Sequence, residues 1–428
     1  MSEEPAGGDL SRLRQLNATA VLRELRGNQP LTLTELSKRT GLSRASTEDV
    51  ARDLLGRGLL VEVAPAAGGV GRPARRYRFN SGAGRLLGVD IGGHKILALV
   101  TDLDGEVLHQ ARVEVPAEAG RRERLAAVDK CVTKALTAAG IPTTRRSART
   151  PDQRGQRGVS IWAAGVATTG LVDGAGKVML SDSLPEWSGV DLGAHVRRLV
   201  PGAVRVENDC KLAALAETWR GVARYAKDVV FLLAGLRTGA GLIIDGKLHR
   251  GFANWSGEIG ALPAAGWQQA PQHLHTWLEN NPPTTPRPAE AGAGAEAGAG
   301  VEAGAGVGEG GAGVGGGGEV VDGFERVFGA ARAGDGVARG AVERYVQDLA
   351  IGASALVLAL DPQLVVIGGG FSRSADVMVE PLRRELERWC LRTPEIRVSA
   401  FADEGVALGA VRLALDEVEA AITDGLRP

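Results

Sequence analysis

Apolar residues in the first eighty positions recur first at helical spacing and then in short alternating runs. Leu10, Leu13, Val21, Leu22 and Leu25 share one side of a helix, which predicts an amphipathic helix over about 10–27. Gly27, Asn28 and Pro30 end it. In the segment LTLTELSKRTGLSRASTEDVARDLLGRGLLVEV, Thr34 is expected to cap a short helix ending at Gly41, and Ser43 a second one running to about Leu55. Two short helices joined by a tight turn at Gly41 make a helix-turn-helix. Leu59, Leu60, Val61 and Val63 then read as a strand, and Gly68, Gly69, Gly71 and Pro73 as a turn. Arg75, Arg76, Tyr77, Arg78 and Phe79 read as a returning strand, so a β-hairpin forms a wing beside the helices.

From Leu86 the pattern changes to strands alternating with helices. Gly92-Gly93 and Asp104-Gly105 break an apolar stretch into a strand meander, followed by a helix from about Arg121 to Ala139. Residues 143–158 are polar and aperiodic and read as a mobile loop. A strand at 159–167 leads into the turn TTGLVDGAG. A strand at 204–207, a helix at 209–221 and two strands around 229–247 follow. The insert 281–319 is low-complexity Gly, Ala, Glu and Val, without the side chains to offset its ordering entropy, and is expected to be disordered. Beyond it come helices at about 321–332 and 336–359, the buried strand QLVVIGGG, a helix at about 374–391 and a last one from Gly405. The mixture predicts α/β layers in two lobes.

Charge changes the reading of the first block. The chain has 428 residues and a net charge of −1. Residues 1–82 hold 13 Lys and Arg against 9 Asp and Glu, a surplus of four, so the remainder carries −5. Arg72, Arg75, Arg76 and Arg78 concentrate in the wing, where DNA phosphates would be reached. Taken alone, such a cluster would be a solvated hairpin face; beside a helix-turn-helix it predicts DNA binding. Cys131, Cys210 and Cys390 are scattered, fitting a reducing compartment and no disulfide framework. No apolar run reaches the roughly 18 residues of a membrane span, and MSEEPAGGDL lacks the layout of a signal peptide. A soluble, cytoplasmic protein with no membrane partner is expected.

Several segments carry candidate chemistry. Asp90 and Gly92-Gly93 follow a buried strand; glycines admit a phosphate to the backbone, and an acid there can hold magnesium. A glycine turn with a capping Asp is the plainer account of the same residues. Asn208-Asp209 ends a strand and opens a helix. Asn can both donate to and accept from a hydroxyl, and Asp can take the hydroxyl's proton in phosphoryl transfer. An ordinary helix cap explains them equally. The turn Gly235–Gly241 between two strands can cradle phosphates, Glu258 in its glycine-flanked turn can reach two sugar hydroxyls, and Gly368-Gly369-Gly370 can lie against an adenine ring.

The order of these motifs, with LSRAS opening the recognition helix and GRPARRY in the wing, resembles the repressor branch of the ROK family (repressor, open reading frame, kinase). The resemblance implies a winged helix-turn-helix over 9–80. A two-lobed sugar-kinase-like domain of actin/hexokinase, ribonuclease-H-like fold would cover 85–280 and 320–420, interrupted by the insert. It implies sugar contacts at Asn208, Asp209, Glu258 and Glu279, with Asp209 also the vestigial catalytic residue. Vestigial nucleotide positions would be Asp90, Gly92, Gly93, Thr238, Gly239, Gly241, Gly368 and Gly369. Operator contacts are expected from Ser43, Arg44, Ser46 and Thr47 at the start of the recognition helix, with Arg44 on a guanine. Arg72, Arg75 and Arg76 would lie on the backbone or in the minor groove.

Departures from the family pattern set the expected function. Ala261 stands where family members carry a histidine that binds sugar and zinc, and 262–279 contains no cysteine, so zinc is not expected. Arg237 replaces the first glycine of the second phosphate turn, where it can block a phosphate or pair with one. Thr169 and His94 replace a proline and a threonine. The chain is therefore expected to be a homodimeric or higher-order repressor of sugar-metabolism genes that binds operator DNA and a sugar or sugar-phosphate effector. No cofactor is required; ATP and magnesium enter only if kinase activity persists. The alternative is an ATP-dependent sugar kinase carrying a DNA-binding module.

Overall fold

The computed structural model describes residues 10–64, 74–143, 160–282 and 317–423. The first block is a small helical head with a three-stranded sheet. Its elements are α1 (Leu10–Leu25), β1 (Leu31–Thr32), α2 (Leu33–Thr40), α3 (Arg44–Gly56), β2 (Leu60–Val63) and β3 (Arg76–Phe79). The sheet runs β1-β3-β2, antiparallel throughout, with Leu31 beside Tyr77 and Leu60 beside Phe79. Thr32, not Thr34, caps α2. Its hydroxyl accepts the Glu35 N–H at 3.2 Å while the Glu35 carboxylate accepts the Thr32 N–H at 2.7 Å. The reciprocal capping box satisfies two otherwise orphaned donors, an advantage no cap at Thr34 offers. Gly41 ends α2 at φ 73°, and Ser43 caps α3 by accepting the Ser46 N–H at 3.1 Å. Leu22, Leu25, Leu36, Leu54 and Phe79 are buried together, whereas Leu13 is 55% exposed, so among the described side chains α1 meets the core from Ala18 onward. The wing turn, including Arg72, lies outside the described residues.

Two five-stranded sheets follow, one per lobe. The first lobe contains β4 (Arg85–Ile91), β5 (Lys95–Thr101), β6 (Val107–Glu114), α4 (Arg121–Ala138), β7 (Ile161–Thr168), β8 (Leu171–Val172), β9 (Val178–Leu180), α5 (Leu192–Arg197) and β10 (Ala203–Asn208). Its sheet order is β10-β7-β4-β5-β6. β4, β7 and β10 are parallel, and Thr168 pairs in register with both Ile91 and Asn208. Three strand ends therefore finish level at one edge, where open α/β sheets bind ligands.

The second lobe is built from α6 (Asp209–Arg220), β11 (Val229–Leu233), β12 (Gly239–Ile244), β13 (Lys247–Leu248), α7 (Ala270–Asn280), α8 (Gly317–Arg332), α9 (Gly336–Leu360), β14 (Leu364–Gly368), α10 (Ala375–Trp389) and β15 (Glu395–Val398). Its sheet runs β13-β12-β11-β14-β15. The helix expected near 321 begins at Gly317. Asn281 still bonds back to the Trp277 carbonyl at 2.9 Å, and residues 283–316 of the insert and the loop 144–159 lie outside the described residues.

The final helix, α11 (Gly405–Thr423), leaves the second lobe and returns to the first. It lies so close to β7 and α6 that a methyl on Gly165 would stand 1.9 Å from the Ala410 carbonyl oxygen, and one on Gly409 1.8 Å from that of Leu212. Its far end shares a core with the head, where Leu415, Val418 and Ile422 join Val21, Leu22 and Leu25. One helix thus touches both the strands that end at this edge and the helical head.

Candidate functional site

The level strand ends bring Asp90 and Asn208 to one edge of the first lobe, and Asp209 begins the helix that leaves it. Asn208 does act as a helix cap: its Oδ1 accepts the Lys211 N–H at 3.2 Å and its Nδ2 donates to the Gly170 carbonyl at 3.2 Å. One Nδ2 hydrogen is left for a ligand. Asp209 is only partly covered and uses Oδ1 on the Cys210 N–H at 2.8 Å. Burial pushes the Asp209 carboxyl above its ordinary range. Burial, followed by the charge of Asp209, raises Asp90 to about 7 against the pull of Lys95. Glu258 is likewise raised by burial and by Asp209, opposed by Lys211. Asp90, Asp209 and Glu258 therefore share one electrostatic environment, as candidate acids and hydroxyl acceptors must. Glu279 stands apart, exposed on α7, and no hydrogen bond links it to these residues.

A buried network that the sequence reading missed fixes this group. Glu207 precedes Asn208 and is 2% exposed. Its Oε1 accepts the Asn208 N–H and Asn254 Nδ2, both at 3.0 Å, and its Oε2 accepts Arg250 Nε at 2.7 Å. Asn254, at φ 64°, also donates to the Val172 carbonyl at 2.9 Å, and Lys211 Nζ donates to the Asn254 carbonyl. Buried charges hold such positions only when paired and bonded. One carboxylate thus ties the loop before Glu258 to the strand before Asn208.

The glycine motifs divide into two kinds. At the first turn the Gly92 N–H donates to the Lys95 carbonyl at 3.0 Å, and a methyl on Gly93 would meet Leu184 Cδ2 at 4.0 Å, an ordinary contact. Behind this turn the wholly buried Arg124 of α4 donates to the Gly92 and Gly93 carbonyls at 2.8 and 3.0 Å. At the second, Gly239 and Gly241 belong to β12 itself. A methyl on Gly239 would lie 2.4 Å from Cys210 Sγ, and one on Gly241 2.3 Å from the Cys210 carbonyl, so these glycines serve the packing of α6 on the strand. The turn proper holds Arg237 and Thr238, and Arg237 Nη2 crosses the cleft to the Asp182 carbonyl at 3.3 Å. Gly368 closes β14, and Gly369 follows at φ 88°.

On the head, Ser43 and Arg44 are exposed at the start of α3 and Ser46 is half-buried. Arg44 Nη1 donates to Thr34 Oγ1 at 2.9 Å, which holds the guanidinium at the helix-turn-helix corner. Thr47 is fully buried and donates to the Ser43 carbonyl at 2.9 Å, so it braces the helix from within and does not face DNA. Arg75 pairs with Glu62 at 3.3 Å, and Arg76 donates to the Pro30 carbonyl at 3.1 Å.

Residues 148–417, well over half of the chain, match the ROK family. The chain belongs to the ROK family. Residues 16–64 match the IclR helix-turn-helix domain. The xylose repressor of Caldicellulosiruptor bescii is 25% identical over 96% of this chain and 98% of its own length. The glucokinase of Thermotoga maritima is 24% identical over 78% of this chain and 98% of its own length. Among solved structures, a ROK family transcriptional regulator described as a homologue of the E. coli MLC protein superposes with a TM-score of 0.68. It is 19% identical and covers 97% of this chain and 98% of its own. The head plus two-lobed domain is thus the fold of a ROK regulator, a winged helix-turn-helix joined to a sugar-kinase-like body.

Where ROK proteins carry the zinc-linked histidine, this chain's Ala261 is exposed. His273 pairs instead with Asp348 at 2.9 Å, and His275 meets the Phe324 ring edge-on at 4.8 Å between centroids. Among the described residues no group of three or more His, Cys, Asp and Glu side chains could hold a metal ion. No helix among them is long and apolar enough to cross a membrane.

Proposed function

We propose that this ROK protein is a sugar-responsive transcriptional repressor. Its winged head would bind operator DNA as a homodimer, and the cleft of Asn208, Asp209 and Glu258 would bind the sugar effector. The observation that carries the proposal is α11, which packs against the strands and helix bearing the cleft residues and shares a core with α1 of the head. A reading head joined through one helix to the elements that carry the cleft suits a sensor. The full-length similarity to a protein named xylose repressor supports the same reading.

Phosphoryl transfer is not part of the proposed role. Arg237 reaches across the cleft from the turn that would hold phosphates, so a nucleotide would have to displace its bond to Asp182. On this reading Asp209 is retained as a sugar ligand, and no ATP, magnesium or zinc is needed. A kinase reading draws on the partial exposure of Asp209 and on the glucokinase similarity.

The test is binding of the purified chain to its own upstream DNA at fixed salt, with and without D-xylose, D-glucose or N-acetyl-D-glucosamine. Salt is held constant because phosphate contacts dominate such affinities. Specific binding that one sugar alters by about 5–150-fold supports the proposal. ATP-dependent phosphorylation of a sugar, lost in Asp209→Asn, moves the kinase reading to the front.

A further inference from the structure

We infer that Trp267 is the positioning residue for Glu258, the floor on which the sugar-facing turn is built. The inference rests on the reading that Glu258 holds the sugar.

Glu258 sits outside both sheets. Its turn has no strand ladder, only the short bonds Ala261 N–H to the Glu258 carbonyl at 3.1 Å and Leu262 N–H to the Ile259 carbonyl at 3.0 Å. Such a turn keeps its shape only if its surroundings fix it, and two contacts do so here. Beneath Gly257, at φ 89°, a methyl would lie 2.4 Å from the Ala240 carbonyl, so β12 supports one end. At the other end a methyl on Gly260 would lie 3.1 Å from Cε3 of the Trp267 indole.

The indole is itself held on several sides. Trp267 is 3% exposed, within the main apolar core of the second lobe. Its Nε1 donates to the Leu349 carbonyl of α9 at 3.0 Å. Its ring rests against Gly352 one turn later, where a methyl would be 2.5 Å from Nε1. Gln268, the next residue, donates from Nε2 to the Gly260 carbonyl at 3.0 Å. A chain of rigid contacts therefore runs from the long helix α9 through the indole to the turn. Sites are accurate when the first ligand is held by residues whose own rotamers are locked by packing.

The experiment uses the full chain and compares Trp267→Ala, Trp267→Phe and Gly352→Ala, with Glu258→Gln as the control. Gly352→Ala leaves residue 267 intact but pushes a methyl into the indole, so it tests the contact independently. Sugar affinity is measured by calorimetry with the three sugars named above, alongside sugar-free operator affinity and the unfolding midpoint. Trp267→Ala and Gly352→Ala are expected to weaken sugar binding by about tenfold or more, because a displacement on the order of 1 Å at a site costs that much. Operator affinity without sugar stays within about twofold, and Trp267→Phe, which keeps a ring on Gly352, recovers most of the sugar affinity. Lowered unfolding midpoints with unchanged sugar affinity would overturn the inference and reduce Trp267 to a core residue. If the wild type binds no sugar, or Glu258→Gln binds as well as wild type, the reading of the site fails, and the inference with it. If Glu258→Gln abolishes binding while Trp267→Ala and Gly352→Ala retain it, the inference alone fails.

Discussion

Arg26, just past the end of the first helix of the head, places its guanidinium against the carboxylate of Glu419 near the end of α11. The Arg26 side chain is 17% exposed and lies over the Phe79 ring at 4.7 Å. Glu419 also receives Arg412 Nη2 at 3.0 Å. A charge of the head is thus held by the helix that packs against β7 and α6, the elements beside Asn208 and Asp209. Glu419→Ala leaves a largely buried guanidinium without its carboxylate, and we expect a stability loss of about 1–3 kcal/mol. That is below the fully buried case because Glu419 is 38% exposed. Denaturant unfolding of both single variants and the Arg26→Met/Glu419→Ala double variant checks it. Strictly additive losses would show that the two residues do not interact.

Gly409 is the point at which α11 could be lifted off the cleft. Its missing side chain allows contact with the Leu212 carbonyl, and a methyl there would sit at 1.8 Å. Gly409→Ala is expected to cost about 1–3 kcal/mol as overpacking against backbone. It should also reduce the effect of sugar on operator affinity several-fold while leaving sugar-free DNA binding in place. An operator response equal to that of wild type, measured by titration with and without sugar, would rule out α11 as the connection.

On the reading head, two neighbouring residues should behave oppositely. Arg44 is exposed at the start of α3, and Arg44→Ala should weaken specific operator binding by about 1–3 kcal/mol with little change in stability. Thr47 is buried with its hydroxyl on the Ser43 carbonyl, so Thr47→Val should lower the unfolding midpoint and leave base preference intact. Binding to operators altered one base pair at a time separates them. A changed base preference in Thr47→Val would return that residue to the interface.

Much of this architecture was legible in the chain because local signals and tertiary demands agreed. Ser43 caps α3 as its position before an apolar-periodic run implies, and Gly92-Gly93 and Asp104-Gly105 do divide β4, β5 and β6. The cap at Thr32 is legible in the Thr-x-x-Glu spacing from Thr32 to Glu35, a capping-box signature that hydrophobic periodicity does not carry. The inward turn of Thr47 is not legible in the sequence, because adjacent helix positions differ by about 100° in direction and only the packing of α3 on α1 decides which faces inward. The Glu207, Lys211, Asn254 and Arg250 network joins residues more than forty positions apart, a proximity that no short window contains. The glycines Gly239 and Gly241 looked like a phosphate loop because a glycine required by a neighbouring helix and one required by a ligand have the same letter.

Glu207 gives a prediction about the cleft. Its carboxylate accepts from Asn208, Asn254 and Arg250 at once, so Glu207→Gln replaces an acceptor with a donor facing donors. A loss of about 2–4 kcal/mol is expected, with sugar affinity falling more than sugar-free operator affinity. Calorimetry on Glu207→Gln beside Arg250→Gln checks it. If both bind sugar like wild type, the network supports the fold alone.

Asp90 supplies the pH dependence. Burial and the neighbouring Asp209 raise its carboxyl from an ordinary 3.8 to about 7 in the folded chain. A carboxyl whose folded value is raised favours folding in its protonated form. Its contribution is complete below about pH 3.8 and is lost as pH climbs through about 7. Asp90→Asn removes that titration, so the variant should gain stability over wild type as pH rises from 4 to 8. The rise from 3.8 to about 7 corresponds to roughly 3–5 kcal/mol at the upper end. Urea unfolding of both proteins across this range measures the difference. A stability gap that is the same at pH 4 and pH 8 would mean that Asp90 titrates in the folded chain as it does in the unfolded one, and that its surroundings do not favour the protonated form.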